Sequence, residues 1–229
     1  MKNSSKILLT AFLILANIIP ITIRAEENTP TPTESSQKSV SILEAILSLF
    51  KSPENRFVTR GEEVCLISPG NIGEQLIWSD RPLFVWRGKI PESEIDLVKA
   101  AESLLDEEQH IWTEVIPENI QTIAYTGDTL KPGITYDWEL VSNDKTYRQT
   151  MTLMEQSQRE AIAAELTALE NRLDDGATKE DIAIAKANYF TQQRLGYDAL
   201  QQLYSVPNPS PDLTEQITEI ERHLCNTNG

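Results

Sequence analysis

The 229-residue sequence predicts a segregated α+β protein: an antiparallel β-sandwich followed by a C-terminal α-helical bundle. Two observations carry that expectation. From Phe57 to Leu153, short runs of β-branched and aromatic residues are split by Pro, Gly, Asn and Asp, the texture of strands and turns. After Met154 that texture gives way to apolar residues spaced three and four apart, the period of an amphipathic helix. The expected boundaries are a signal peptide over 1–25, a linker with a short amphipathic helix over 26–56, the sandwich over 57–154 and the helical bundle over 155–226.

The leader is read from its three-part pattern. Lys2 and Lys6 make a short positive region, Ile7 to Ile19 is apolar apart from Thr10 and Asn17, and Pro20 ends the run. Ile23-Arg24-Ala25 then offers small or branched residues for a signal peptidase. An uncleaved anchor is the alternative, but the apolar run is shorter than the roughly 20 residues that cross a bilayer as a helix. No cysteine directly follows Ala25 to carry a lipid. The expected location is therefore periplasmic or secreted, with no membrane span after signal cleavage.

Charge narrows the partners. The whole chain carries −15 at neutral pH. Without residues 1–25, which hold Lys2, Lys6 and Arg24 and no acid, 17 basic against 35 acidic residues leave −18. Such a field repels phosphate backbones and anionic lipid, which excludes nucleic acid as a natural partner class. It also keeps a protein soluble without any specific role.

Glu26 to Ser39 is polar and holds Pro30 and Pro32, too little apolar surface to order itself. In SVSILEAILSLFKS, Val40, Leu43, Leu47 and Phe50 form a helical stripe that Ser39 or Ser41 can cap and Pro53 stops. With only Lys51 against Glu44, the helix lacks the basic face of a membrane-surface helix. It is expected to dock on protein.

Strands are expected at Val64–Ile67, Leu83–Trp86, Ile95–Lys99, Ile111–Val115, Ile120–Tyr125, Tyr136–Val141 and Thr150–Leu153. Pro82 stands where the start of a strand tolerates a missing N–H. Six or seven short strands in about a hundred residues suit a β-sandwich. Within them, LKPGITYDWEL sets Leu130, Pro132 and Gly133 before Tyr136, with Trp138 and Leu140 alternating beyond. This resembles the tyrosine corner of immunoglobulin and fibronectin type III-like domains, whose Tyr hydroxyl bonds back to the corner backbone. The stretch from Pro82 to Trp86 is similar to an early core strand of the same domains. The resemblance implies an immunoglobulin-like sandwich.

In the helical part, Ile162, Leu166, Leu169 and Leu173 mark one helix, with Gly176 expected as its C-terminal cap. Thr178 to Asp181 is expected to cap a second helix, whose buried side is read as Ile182, Ala185, Tyr189 and Phe190. A third begins at Gly196-Tyr197-Asp198-Ala199-Leu200 and stops near Pro207. Asn208 to Asp212 leads into a fourth, striped by Leu213, Ile217, Ile220 and Leu224. AKANYFTQQRLGYDALQQLYSVPNPS is similar to a single tetratricopeptide repeat, which implies a helical hairpin. A second copy is lacking, and stacked repeats need about three units, so no peptide groove is carried over.

The order CLISPG, IWSDRPLFVWRG, LKPGITYDWEL, KANYF…DAL…LYSV…NPSP and the final HLC resembles a family of exported cyanobacterial proteins known only as a domain of unknown function. It covers most of residues 61–226 and implies an envelope location and a sandwich-plus-helices layout, with no activity attached.

Cys65 and Cys225 are an even pair, most simply a disulfide in an oxidising compartment. Two cysteines with no nearby histidine are too few ligands for zinc, so no metal and no cofactor are expected. The pair would staple the sandwich to the last helix.

Catalytic chemistry finds little footing. His110 and His223 are the two histidines. His110 sits beside Glu107 and Glu108 in a polar stretch, and His223 stands near a helix C-terminus where a cation is favourable. No Gly-x-Ser-x-Gly elbow, His-Glu-x-x-His helix or phosphate-cradling loop occurs. Asp174-Asp175-Gly176 lacks the later ligands of a calcium loop. No catalytic residue is assigned. Trp78, Asp80 and Arg81, with Trp86, form the densest aromatic and charged cluster and are the candidate binding residues. The competing reading makes Trp86 core and Asp80–Arg81 a locally paired turn.

The leading expectation is a non-enzymatic envelope protein that binds another envelope protein. A carbohydrate-binding accessory module using exposed tryptophans is the second expectation, and a carboxylate-dependent hydrolase the third. The second requires exposed indoles among Trp78, Trp86, Trp112 and Trp138. The third requires two acids raised in pKa within one cleft.

Overall fold

The computed structural model describes residues 41–50, 64–69, 75–88, 90, 93–101, 108–142 and 145–226. All belong to the unit Ser39–Gly229. The leader, Glu26 to Ser39, Val40, Lys51, Glu107 and the stop at Pro53 lie outside the described residues.

Strands come first after one short helix, and helices follow. In chain order the elements are α1 (Ile42–Phe50), β1 (Val64–Ser68), β2 (Leu76–Ile77), β3 (Leu83–Gly88), β4 (Glu94–Lys99), β5 (Gln109–Val115), β6 (Thr122–Ala124), β7 (Thr135–Ser142) and β8 (Lys145–Leu153). The C-terminal helices are α2 (Gln156–Glu170), α3 (Lys179–Gln192), α4 (Gly196–Tyr204) and α5 (Pro211–Asn226). One sheet runs β1-β3-β6 and the other β2-β8-β7-β4-β5. The pairings are antiparallel except β2 with β8, which is parallel. The two-residue β2 was not anticipated, because so short a run carries no alternation to read.

Alternation explains which faces are buried. On β4, Ile95 and Leu97 are fully buried, and they lie opposite Leu140 and Trp138 of β7. Met151 and Leu153 of β8 join them from the same face. Phe84 and Trp86 of β3 and Val64 and Leu66 of β1 close this core from the other sheet. Each such large side chain contributes about 1.5–3 kcal/mol of burial. Of the alternate residues, Ile67 and Val85 are buried, and Cys65, Leu83 and Arg87 are half-buried. Ile67 and Val85 turn to the opposite side, into a second core made by the helices. The three-stranded sheet is thus the middle of three layers, and its two longer strands read as near-continuous apolar runs because both faces are covered.

The helices have local causes. Ser41 Oγ accepts the Glu44 N–H at the start of α1. Thr178 and Asp181 form a complete capping box on α3, as expected. Ser210 Oγ accepts the Leu213 N–H, with Pro211 at the first helical position of α5, the favoured arrangement for a helix start. α1 packs on α3, α4 and α5. It docks on this chain's own helices.

Three expectations are corrected. α2 ends at Glu170 with Asn171 as its cap, so neither Leu173 nor Gly176 ends it. Arg172 and Leu173 make tighter turns there, their N–H groups donating to Leu169 and Glu170 carbonyls. The buried side of α3 is Ala183, Ala187, Phe190 and Thr191. Small alanines let the backbones of α3 and α4 come close, while Ile182, Ala185 and Tyr189 stay half-buried. On α1 the buried residues are Ile42, Ile46 and the expected Leu47, while the expected Leu43 is half-buried.

Candidate functional site

Trp78, Asp80 and Arg81 stand together in the turn between β2 and β3, but two of the three face the helices. Trp78 is half-buried. Its indole N–H donates to the Arg159 carbonyl at 3.0 Å, and its ring lies 5.4 Å from Phe190. The Arg159 Nε in turn donates to the Trp78 carbonyl at 2.9 Å. Asp80 pairs with the Arg159 guanidinium at 2.7 Å, so its partner is on α2. The expected local Asp80–Arg81 pairing is replaced by this contact. Arg81 is exposed and donates to the Gly127 carbonyl at 3.1 Å.

At the centre of this joint is a residue that the sequence reading placed only within a helical repeat. Asp198, in the first turn of α4, is 2% exposed. Its two oxygens accept the N–H groups of Trp78 at 2.8 Å and Ser79 at 2.9 Å. Burial pushes its carboxyl up to about 6, against the pull of those N–H donors and of Arg159. Gln201, one turn on, donates to Ser79 Oγ and the Arg81 carbonyl. The signal available in the sequence was a lone carboxylate inside the apolar run Leu195-Gly196-Tyr197-Asp198-Ala199-Leu200, since a buried acid needs a partner.

A second joint lies at the far end of β3. Cys65 and Cys225 form the expected disulfide, with Cα atoms 5.8 Å apart and 160 residues between them in sequence. Cys65 is the cross-strand neighbour of Arg87. Arg87 forms a forked pair with Glu221 of α5, its Nε donating at 2.8 Å and a terminal nitrogen reaching the other oxygen. Tyr204 of α4 donates to the same Glu221 at 2.5 Å. Burial and the adjacent Glu221 hold the Tyr204 phenol well above its ordinary range. Covalent and ionic links therefore run side by side, because Glu221 and Cys225 sit one helical turn apart.

Beside that pair is a cavity of about 310 Å³ bounded by β3, α4 and α5. Leu203, Val206 and Ile217 give it apolar walls, and Arg87, Tyr204 and Glu221 a polar corner. Ile217 belongs to the expected α5 stripe, but unlike Leu213, Ile220 and Leu224 it is only half-buried. The polar corner is internally satisfied, so the open part of the groove offers mainly apolar contact.

The remaining candidates are placed as follows. Trp86 and Trp138 are core residues, 1% and 0% exposed. Trp112 is half-buried and its indole donates to Thr126 Oγ1 at 3.2 Å. His110 is exposed on β5, its Nε2 2.7 Å from Thr113 Oγ1 and 3.4 Å from Asp96. Asp96 accepts from Thr113 at 2.5 Å. Both contacts of the ring fall on one nitrogen, so Asp96 does not orient His110 through its other nitrogen as a triad requires. His223 lies in the last turn of α5. On the outer face of the five-stranded sheet, Arg148 pairs with Glu108, Asp137 and Glu139, and hydrogen bonding to Arg148 holds Glu108 below the usual carboxylate range. No group of three His, Cys, Asp or Glu placed to hold a metal ion occurs among the described residues. Nor is any helix among them long and apolar enough to cross a membrane.

No protein-family model, curated protein or solved structure matches this chain.

Proposed function

We propose that this chain is a non-enzymatic interaction protein of the cell envelope, exported by its leader and binding another protein through its helical side. The observation that carries the reading is the groove between α4, α5 and β3. Its apolar walls and already-paired polar corner suit an apolar anchor of a protein partner, since such anchors dominate interface energetics when they fill a formed pocket. A disulfide beside it keeps the walls in place and suits an oxidising compartment. The finer architecture belongs to the same proposal. The strand orders β1-β3-β6 and β2-β8-β7-β4-β5 and the Lys131 N–H donating to the Tyr136 hydroxyl at 2.9 Å support an immunoglobulin-like sandwich with a tyrosine corner. Gly133, at φ +73°, lets that corner turn; a Cβ there would meet the Glu155 carboxylate at 2.5 Å. Kinship with exported cyanobacterial proteins is part of the proposal, resting on the quoted sequence stretches.

The other readings have less to stand on. A carbohydrate-binding face needs free aromatic planes, whereas Trp86 and Trp138 are in the core and the indoles of Trp78 and Trp112 are tied to neighbours. A hydrolase needs two acids about 5–9.5 Å apart in a cleft, and the groove is lined by Glu221 alone among carboxylates. The test is capture from a native envelope fraction with the wild-type chain and with Ile217→Asp, each checked for folding by circular dichroism. A reproducible partner kept by wild type and lost by the variant is expected. Absence of any reproducible partner, or equal capture by both, overturns the reading.

A further inference from the structure

A second surface points to a different kind of contact. Among the described residues, β5 pairs only with β4 and forms one edge of the five-stranded sheet. The direction of its free groups follows from one hydrogen bond. The Ile116 N–H donates to the Ser93 carbonyl at 2.9 Å, so that pair faces β4. Antiparallel ladders alternate, which makes Glu114, opposite Ile95, face β4 as well. Thr113 and Val115 then direct their N–H and C=O groups away from the sheet. All three residues from Thr113 to Val115 are exposed.

The edge has a distinctive composition. Val115, 70% exposed, and Ile120, 42% exposed, are the exposed large hydrophobics of the described chain. Val115 ends β5, and Ile120 lies in the connection from β5 to β6. Between Gln109 and Gln121 the only formal charges are Glu114 and Glu118, and neighbouring β4 adds Glu94 and Asp96, set opposite Val115 and Thr113. Edge strands are usually guarded by lysine; this segment has none. Its irregularity, where Trp112 and His110 face successive residues Leu97 and Val98, lies before Thr113 and leaves the stretch to Val115 regular.

We infer that the free edge of β5 at Thr113–Val115 accepts an extended segment of a partner protein whose lysines or arginines alternate with apolar residues. Backbone pairing to Thr113 and Val115 supplies the strand addition. Successive residues of the added strand turn to opposite faces, so the apolar ones meet Val115 on its face and the basic ones meet Glu114 on the other. Charge selects this occupant over a second copy, because two chains of −15 would bring acidic edges together. The inference rests on the interaction reading only in taking a protein as the partner; it uses a surface separate from the groove.

The probe is a short synthetic peptide of alternating Lys and Val, with alternating Glu and Val as control, added to the full folded chain. Amide hydrogen exchange is followed by NMR. Exchange at Thr113 and Val115 should slow by about tenfold or more with the Lys peptide, and the effect should fade with added salt. Val115→Pro removes an outward N–H without touching the β4 ladder, a position where an edge strand tolerates proline. It should keep the fold and lose the protection at Thr113. No protection at either amide, equal protection by the Glu peptide, or protection that appears without peptide as chain concentration rises each overturns the assignment, the last by making a second copy the occupant. Envelope capture separates the two proposals. A partner held equally by wild type and Val115→Pro removes the edge and leaves the interaction reading; no partner for wild type removes that reading while the peptide still decides the edge.

Discussion

Near the start of β3, Asp198 reaches from α4 to take two backbone N–H groups of the Trp78–Ser79 turn; at its end, α5 is tied back by Cys225 and Glu221. The first joint is polar, non-covalent and buried. The second combines a covalent bond with an ion pair whose arginine side chain is 29% exposed. The difference is one of failure. A buried carboxylate with its donors is costly to break from one side, because the orphaned groups stay out of water. A disulfide acts mainly by restricting the unfolded chain, so its removal leaves the native contacts in place. The Arg87–Glu221 pair beside it is partly buried, so removing one partner leaves a largely covered charge unpaired. The middle sheet thus holds the helices by native-state contacts alone at one end, and by native-state contacts together with restriction of the unfolded state at the other.

The largest test of that contrast removes the covalent joint. Replacing both cysteines by serine should lower stability by about 5 kcal/mol at most, from the entropy of a closed loop of this length, measured by urea denaturation. A loss below about 1 kcal/mol would mean that the disulfide is not what holds α5. Asp198→Ala comes next, with an expected loss of about 2–4 kcal/mol, because the Trp78 and Ser79 N–H groups lose their acceptor. A near-neutral result would show that water replaces the carboxylate.

The same residue predicts a pH dependence with a definite sign. Its folded pKa of about 6 lies above the ordinary aspartate value of 3.8, so the folded chain binds the proton more tightly. Its contribution to stability is full below about pH 4 and is lost as pH rises through about 6, a change of about 3 kcal/mol at most. Glu108, Asp181 and Glu219 are shifted down and pull the other way. The measurement is therefore the difference between wild type and Asp198→Asn, taken by urea denaturation from pH 4 to 7, in which their contributions cancel. A flat difference would break the assignment. The smallest effect lies away from both joints: Tyr136→Phe should lose about 1 kcal/mol with the Lys131 hydrogen bond and leave the pH dependence of the Asp198 difference unchanged.

Much of the architecture was legible. Alternation at Ile95-Leu97 and Tyr136-Trp138-Leu140 located β4 and β7, because one face packs into the apolar core and the other carries Asp96, Asp137 and Glu139. The corner LKPGITY was readable because Gly133 and the Tyr136 hydroxyl act within a few residues. Thr178–Asp181 and the α5 stripe were local as well. The boundary of α2 was misjudged, since Leu173 continues the apolar spacing after the helix has ended. The faces of α1 and α3 were read correctly at Leu47 and Phe190 and missed elsewhere, because both helices pack on more than one neighbour and alanines at Ala183 and Ala187 carry no hydrophobic signal strong enough to mark a contact.

The candidate site was less legible. Trp78, Asp80 and Arg81 were recognised as a dense cluster, yet the residues that decide what two of them do, Arg159 and Asp198, lie 81 and 120 positions from Trp78. The sequence by itself determined the order of strands before helices, the local caps and turns, the strongly negative charge and the single cysteine pair, because each is expressed in neighbouring residues or in composition. Only the tertiary structure decided that β1 and β3 are covered on both faces, that Glu221 meets Arg87 beside the disulfide, that Ile217 is left open to a groove, and that the Thr113–Val115 edge is unpaired among the described residues. Those outcomes depend on which distant surfaces are brought together, and burial, pairing and exposure are properties of that meeting.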